Sequence, residues 1–113
     1  MCNEKRPWGR FEVLLSKPYF KLKKLMVNPQ QRLSYQSHKL RQECWTVING
    51  EATVILNDNE IKVKYGESIT IPIGAKHRII NKGDQLLEII EVQTGEYFGE
   101  DDIIRYEDDY NRK

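Results

Sequence analysis

The chain has 113 residues, 18 lysines and arginines against 17 acids, a net charge of +1 and a charged fraction of 31%. One useful core fits this length and two do not; the balanced charge lacks the basic excess of a nucleic-acid binder, and apolar runs of about four residues fall far short of the ~20 that span a bilayer. Met1–Gly9 is too polar for a secretory leader and two cysteines, Cys2 and Cys44, are too few for a disulfide framework, so the expectation is one cytoplasmic domain over 1–113 that binds neither nucleic acid nor membrane.

Arg6-Pro7-Trp8-Gly9 reads as a rigid opening, followed by a first strand over Arg10–Leu15 that could serve as a sheet edge. Pro18 breaks it. Tyr19–Val27 is the second strand, with Phe20, Leu22 and Met26 on one parity and Lys21, Lys23 and Leu25 on the other. Asn28-Pro29-Gln30-Gln31 turns the chain into an extended, half-polar Leu33–His38, and Glu43–Ile48 is a stronger strand. Asn49-Gly50 then predicts a hairpin into Ala52–Leu56, and Asn57-Asp58-Asn59 a turn into Ile61–Tyr65. Ser68–Ile71 ends at Pro72, which donates no ladder hydrogen bond, and at Gly74; a new strand starts near His77. Asn81-Lys82-Gly83-Asp84 leads into Leu86–Gln93. Short strands every eight to twelve residues, with no amphipathic helix, predict an all-β sandwich or barrel. The acidic tail, Glu100–Asp109, reads as a solvated arm or a single helical turn.

His77 by itself is more simply a surface histidine of a hairpin; a second cluster changes that. Gln36 and His38 lie two apart in an extended segment and share a face, and a bend over Lys39–Gln42 can return Glu43 to it. With His77 they bring an amide oxygen, two imidazoles and a carboxylate together, a set that suits Zn, Mn, Fe, Co or Ni without choosing among them. Cys44, next to Glu43, faces the other side of the pleat and reads as a packed thiol, and Trp45 as core.

Gly50, Glu43 six intervening residues before it and His38 four more before that, followed by Gly66, Pro72, Gly74, His77 and Asn81, resemble the two motifs of the cupin superfamily. Gln36 stands where most cupins have a histidine and Gln30 where they have a glycine. Arg6-Pro-Trp-Gly9, Arg32-Leu-Ser34, Gln36, His38, Arg41, Glu43, Trp45, Ile71-Pro72, His77-Arg78, Glu88–Gln93 and Gly99-Glu-Asp-Asp-Ile103 extend the likeness. They resemble the type II mannose-6-phosphate isomerase domain, in which a glutamine at position 36 is usual. Lys39, Leu40 and Cys44 stand where many members carry further histidines.

The resemblance implies a cupin-type double-sheet jelly-roll barrel, with a core over about 6–98 and a C-terminal arm over about 99–113. It implies a metal-dependent aldose–ketose isomerase acting on mannose 6-phosphate and fructose 6-phosphate, with zinc ahead of Mn, Co, Ni or Fe, and a homodimer by analogy. The alternative is a non-catalytic cupin that binds a sugar phosphate or sugar nucleotide. In bifunctional members a nucleotidyltransferase precedes this domain; the chain offers neither its length nor a glycine-rich nucleotide loop, so GDP-mannose synthesis is not expected of it. The isomerisation needs a base, an electrophile and a cationic grip on phosphate. Gln36, His38, Glu43 and His77 are the metal set. Glu88 and Glu91 are candidate bases, each more simply a surface or hairpin carboxylate. Arg41, Arg105 and Arg78 are the phosphate candidates, whereas Lys76 reads as a solvated charge. Trp8, Trp45 and Tyr97 are the rings available to stack on a sugar.

Overall fold

The computed structural model describes residues 2–112, with side chains from residue 4, so the thiol of Cys2 lies outside the described residues. Strands β1 (Cys2–Arg6), β2 (Gly9–Lys17), β3 (Phe20–Val27), β4 (Tyr35–Ser37), β5 (Arg41–Asn49) and β6 (Ala52–Leu56) are followed by β7 (Asn59–Val63), β8 (Ser68–Ile71), β9 (His77–Ile80), β10 (Leu87–Gly95) and β11 (Ile104–Glu107). Six form one sheet in the order β1-β2-β3-β10-β5-β8 and five the other, β11-β4-β9-β6-β7. All pairings are antiparallel. The expected all-β, two-sheet class holds, and no helix is long and apolar enough to cross a membrane.

Four local readings are corrected. The opening Arg6-Pro-Trp-Gly is a tight turn rather than a lead-in, because β1 pairs with β2 from Arg6↔Gly9 onward. The sheet edge is therefore β1, and Arg10–Leu15 is an interior strand flanked by β1 and β3. Asn49-Gly50 closes no hairpin: both edges of β5 are taken, by β10 and β8, and the left-handed Gly50 (φ 84°) sends the chain across to the other sheet. The two-residue hairpin signal is instead realised at Asn57 (φ 47°) and Asp58 (φ 69°), both left-handed, which join β6 to β7 as the twist of a hairpin requires. The tail contributes a strand, β11, paired with β4.

Alternation along each strand sends one set of side chains between the sheets. On β3 it is the parity of Lys23, Leu25 and Val27, because their partners Val13 and Phe11 on β2 and Glu91 and Ile89 on β10 face the same way. Trp8, Phe11, Leu25, Val27, Val47, Val54, Ile79, Leu87 and Ile89 pack into one apolar cluster that fills part of the interior. The rest of the interior is polar.

Candidate active site

Six strands, β3, β4, β5, β9, β10 and β11, point chemistry into that polar half. On β5, Arg41, Glu43, Trp45 and Val47 are buried, and the residues between them face outward. The inward register row of the large sheet runs Lys23–Glu91–Trp45, and the next runs Lys21–Gln93–Glu43. His77 opens β9 directly behind the Pro72–Gly74 turn, where Gly74 holds φ 83°. The Gly74 amide donates to the carbonyl of His38 at 2.8 Å, so the turn that places one histidine also ties down the other.

The two imidazoles meet over Glu43. His38 Nε2 lies 3.5 Å from Glu43 Oε2, and His77 Nε2 lies 3.5 Å from Glu43 Oε1. The three ligand atoms fall within 4.8 Å of one another, all from buried residues. Ligands each about 2.1 Å from a single tetrahedral ion stand about 3.4 Å apart, close to the two 3.5 Å separations from Glu43. Each ring is oriented from behind: His38 Nδ1 faces the carbonyl of Asp102, and His77 Nδ1 that of Ala75 at 3.0 Å. A proton on Nδ1 leaves Nε2 as the lone pair facing Glu43, as a metal ligand needs. Burial lowers both imidazoles, His77 to about 4, so both are neutral at pH 7. Burial raises the Glu43 carboxyl, and Arg41 offsets this only in part. Neutral imidazoles with an anion-capable carboxylate fit a divalent ion. Gln36 pairs with His77 across β4 and β9 and lines the same cavity, and its amide nitrogen donates to Ser34 Oγ at 3.0 Å, which leaves its oxygen available.

Arg41 is buried against the same atoms. Its Nε donates to Glu43 Oε2 at 2.9 Å, and one terminal nitrogen lies 3.3 Å from His38 Nε2. Glu91 accepts from Trp45 Nε1 at 2.9 Å and from Gln93 Nε2 at 2.7 Å. Burial, then the charge of Glu43, pushes its carboxyl up to about 7. Arg105 lines the cavity from β11, in register with Gln36, and its buried Nε has no hydrogen-bond partner.

Of the residues singled out from sequence, Gln36, His38, Arg41, Glu43, His77, Glu91 and Arg105 reach one cavity. Glu88 does not: it lies on the outer parity of β10, paired with Lys24 at 2.9 Å. Arg78 touches the cavity wall, but its guanidinium is committed to the Leu33 carbonyl at 2.9 Å and to Glu107 at 3.2 Å. Trp8 and Trp45 are buried at the wall, whereas Tyr97 is exposed and bonded to Asp101. Lys76 is exposed, over the ring of Tyr106. Lys39 and Leu40 are exposed and Cys44 lies on the outward parity of β5, so none of these three residues faces the cavity. Four charged residues of the wall were missed, Arg6, Lys23, Glu100 and Arg112. Lys23 is buried inside, a position announced only by its sharing a parity with Leu25 and Val27; Glu100 comes from the tail, where nothing separates it from its acidic neighbours. The walls carry six cations, Arg6, Lys23, Arg41, Arg78, Arg105 and Arg112, against the carboxylates of Glu43, Glu91 and Glu100. An anionic ligand suits such a cavity.

The family description "Mannose-6-phosphate isomerase C-terminal" matches residues 2–108. The mannose-1-phosphate guanylyltransferase of Klebsiella pneumoniae is 41% identical over 107 residues, which is 95% of this chain and 23% of that protein. The alginate biosynthesis protein AlgA of Pseudomonas aeruginosa is 44% identical over 111 residues, 98% of this chain and 23% of AlgA. The chain thus spans about a quarter of the length of these relatives. Among solved structures, a double-stranded β-helix protein of Klebsiella pneumoniae superposes with a TM-score of 0.74 at 24% identity, over 84% of this chain and 76% of that one. The cupin domain of Schizosaccharomyces pombe Cnp3 gives 0.74 at 16% identity, over 76% and 64%. These likenesses establish the cupin fold, and the match over residues 2–108 establishes that the chain belongs to the mannose-6-phosphate isomerase C-terminal family.

Proposed function

We propose that the chain is a metal-dependent aldose–ketose isomerase that interconverts mannose 6-phosphate and fructose 6-phosphate. The observation that carries this reading is the convergence of His38, Glu43 and His77 within 4.8 Å inside a cavity with more cations than carboxylates. His38, Glu43, His77 and the Gln36 oxygen would hold the ion, with zinc first and Mn, Co, Ni or Fe as its competitors. When bound, it supplies Lewis-acid polarisation of the substrate's carbonyl and hydroxyl oxygens.

The chain's own groups do the rest. Glu91 takes the proton from C2 of the aldose while the C–H electron pair forms the C1=C2 bond of an enediol and the carbonyl oxygen gains a proton. Return of a proton to C1 and loss of the C2 hydroxyl proton gives the ketose. Trp45 and Gln93 hold that carboxylate in place, whereas Glu88 on the outer face cannot reach the substrate. Arg105, with its unpartnered Nε, is a donor for the anionic ligand. Lys39, Leu40 and Cys44 lie off the cavity, so their departure from the family pattern takes nothing from its lining, which favours the enzyme over the non-catalytic alternative.

Metal content and a coupled fructose 6-phosphate assay on the native chain and on His77→Ala test the reading. Metal and turnover together, both lost in the variant, support it; stoichiometric metal without turnover makes the chain a binding module. We also propose a homodimer through the outer face of the large sheet. There Leu15, Leu22, Val92 and Cys44 form one cross-strand row, and Leu15 is 42% exposed. Light scattering showing a monomer would remove that part of the reading.

A further inference from the structure

Lys23 is a cation the reaction above leaves unused. Its side chain is 4% exposed and its ammonium sits 4.2 Å from the centre of the Phe11 ring. A buried ammonium needs an anion within reach. Its register partner Glu91 is already engaged by Trp45 and Gln93, and Lys23 instead donates to Glu100 of the C-terminal arm at 2.9 Å. The two members of this pair differ sharply. The lysine is almost fully buried against the cavity wall, whereas the glutamate side chain is 46% exposed. The same Glu100 oxygen lies 3.6 Å from Arg41, and although burial opposes it, Lys23 and then Arg41 hold this carboxyl below its ordinary value.

The arm does not depend on that carboxylate for its place. Lys21 Nζ donates to the Phe98 carbonyl at 3.2 Å, and Arg41 to the Gly99 carbonyl at 3.3 Å. The Asp102 carboxylate accepts from the amides of Lys39 at 3.1 Å and Leu40 at 3.0 Å. Glu100 can therefore rotate toward solvent while its backbone stays anchored. We propose that Lys23, with the edge of Arg41 that faces the arm, forms the phosphate subsite of this cavity, and that Glu100 is an internal anion which a phosphate monoester displaces. The subsite rests on the sugar-phosphate reading above. A phosphate dianion outcompetes one carboxylate there because it carries more charge and three acceptor oxygens.

The test is calorimetric binding of inorganic phosphate, mannose 6-phosphate and uncharged mannose to the zinc-loaded full chain, in the native form, Glu100→Gln, Lys23→Met and the double variant. Glu100→Gln, at a half-exposed position that leaves folding intact, is expected to tighten both phosphates by about three- to tenfold. Lys23→Met is expected to weaken both by at least about tenfold and to erase the gain in the double variant, with mannose unaffected throughout. A melting curve verifies that Lys23→Met is folded. Unchanged or weaker phosphate binding in Glu100→Gln overturns the proposal and leaves the ion pair as a latch for the arm; absence of phosphate binding in every form overturns it too. Isomerase turnover without the Glu100→Gln gain sinks the subsite alone. The gain without turnover sinks the isomerase reading alone.

Discussion

The two halves of the barrel interior are built from the same strands and carry opposite cargo. Along β3 the inward positions change from Lys21 and Lys23 to Leu25 and Val27; along β10, from Gln93 and Glu91 to Ile89 and Leu87; along β5, from Arg41 and Glu43 to Trp45 and Val47. β9 does the same in one step, from His77 to Ile79. The apolar half supplies the favourable burial, at about 25 cal/mol per Å². The polar half buries charge and histidine, which costs stability unless each group is partnered. Among the described residues, the two buried polar side-chain atoms without a partner, Gln93 Oε1 and Arg105 Nε, both belong to the polar half. Stability and chemistry are separated along the barrel axis, not divided between different elements.

That separation makes substitutions in the two halves fail differently. His77→Ala should lower turnover by at least about a thousandfold, because the ion's polarising role is worth several kcal/mol, with bound metal lost in elemental analysis and the melting temperature little changed. Glu91→Gln should lower kcat by about a hundredfold or more while metal content stays stoichiometric. Loss of metal in that variant would move Glu91 from the proton to the ion. Ile89→Ala, fully buried one inward position along the same strand, should cost about 2–5 kcal/mol in denaturant unfolding and leave metal stoichiometry intact. A large loss of metal there would merge the two halves into one.

The polar half also has its own pH signature, measured by denaturation in the presence of a chelator. The His77 imidazole stays neutral down to about 4 when folded but binds a proton near 6.5 when unfolded. Its contribution to stability is therefore lost as pH falls from about 6.5 to about 4. Glu91 acts in the opposite sense: folded, it holds its proton up to about 7, against 4.5 unfolded, so its contribution is present below pH 4.5 and lost as pH rises through 7. Glu91→Gln should steepen the loss of stability between pH 6.5 and 5, and His77→Gln should reverse its sign. Equal slopes in both variants would show that these groups do not set the pH response. The smallest effect lies outside both halves. Asp108, held at about 2 by hydrogen bonds from Arg112, should lose about 1 kcal/mol in Asp108→Asn, seen above pH 4 and vanishing toward pH 2.

Strand positions and the core of the site were legible because both are local. Alternation marks a strand and its inward set, Pro72 and Gly74 mark the turn that presents His77, and a two-residue step puts Gln36 and His38 on one side. Partner choice is not local. Asn49-Gly50 carries the signature of a hairpin, yet β8 and β10, drawn from distant parts of the chain, occupy both edges of β5 and turn that dipeptide into a crossing between sheets. The sequence by itself thus determined the all-β class, the family and the grouping of His38, Glu43 and His77. Only the tertiary structure decided that Glu91 faces the cavity and Glu88 does not, that the tail pairs as β11, and that Lys23 meets Glu100. Side-chain direction follows from the period of a strand, but which faces and charges meet depends on which strands pair, and the chain settles that pairing across separations that no local pattern encodes.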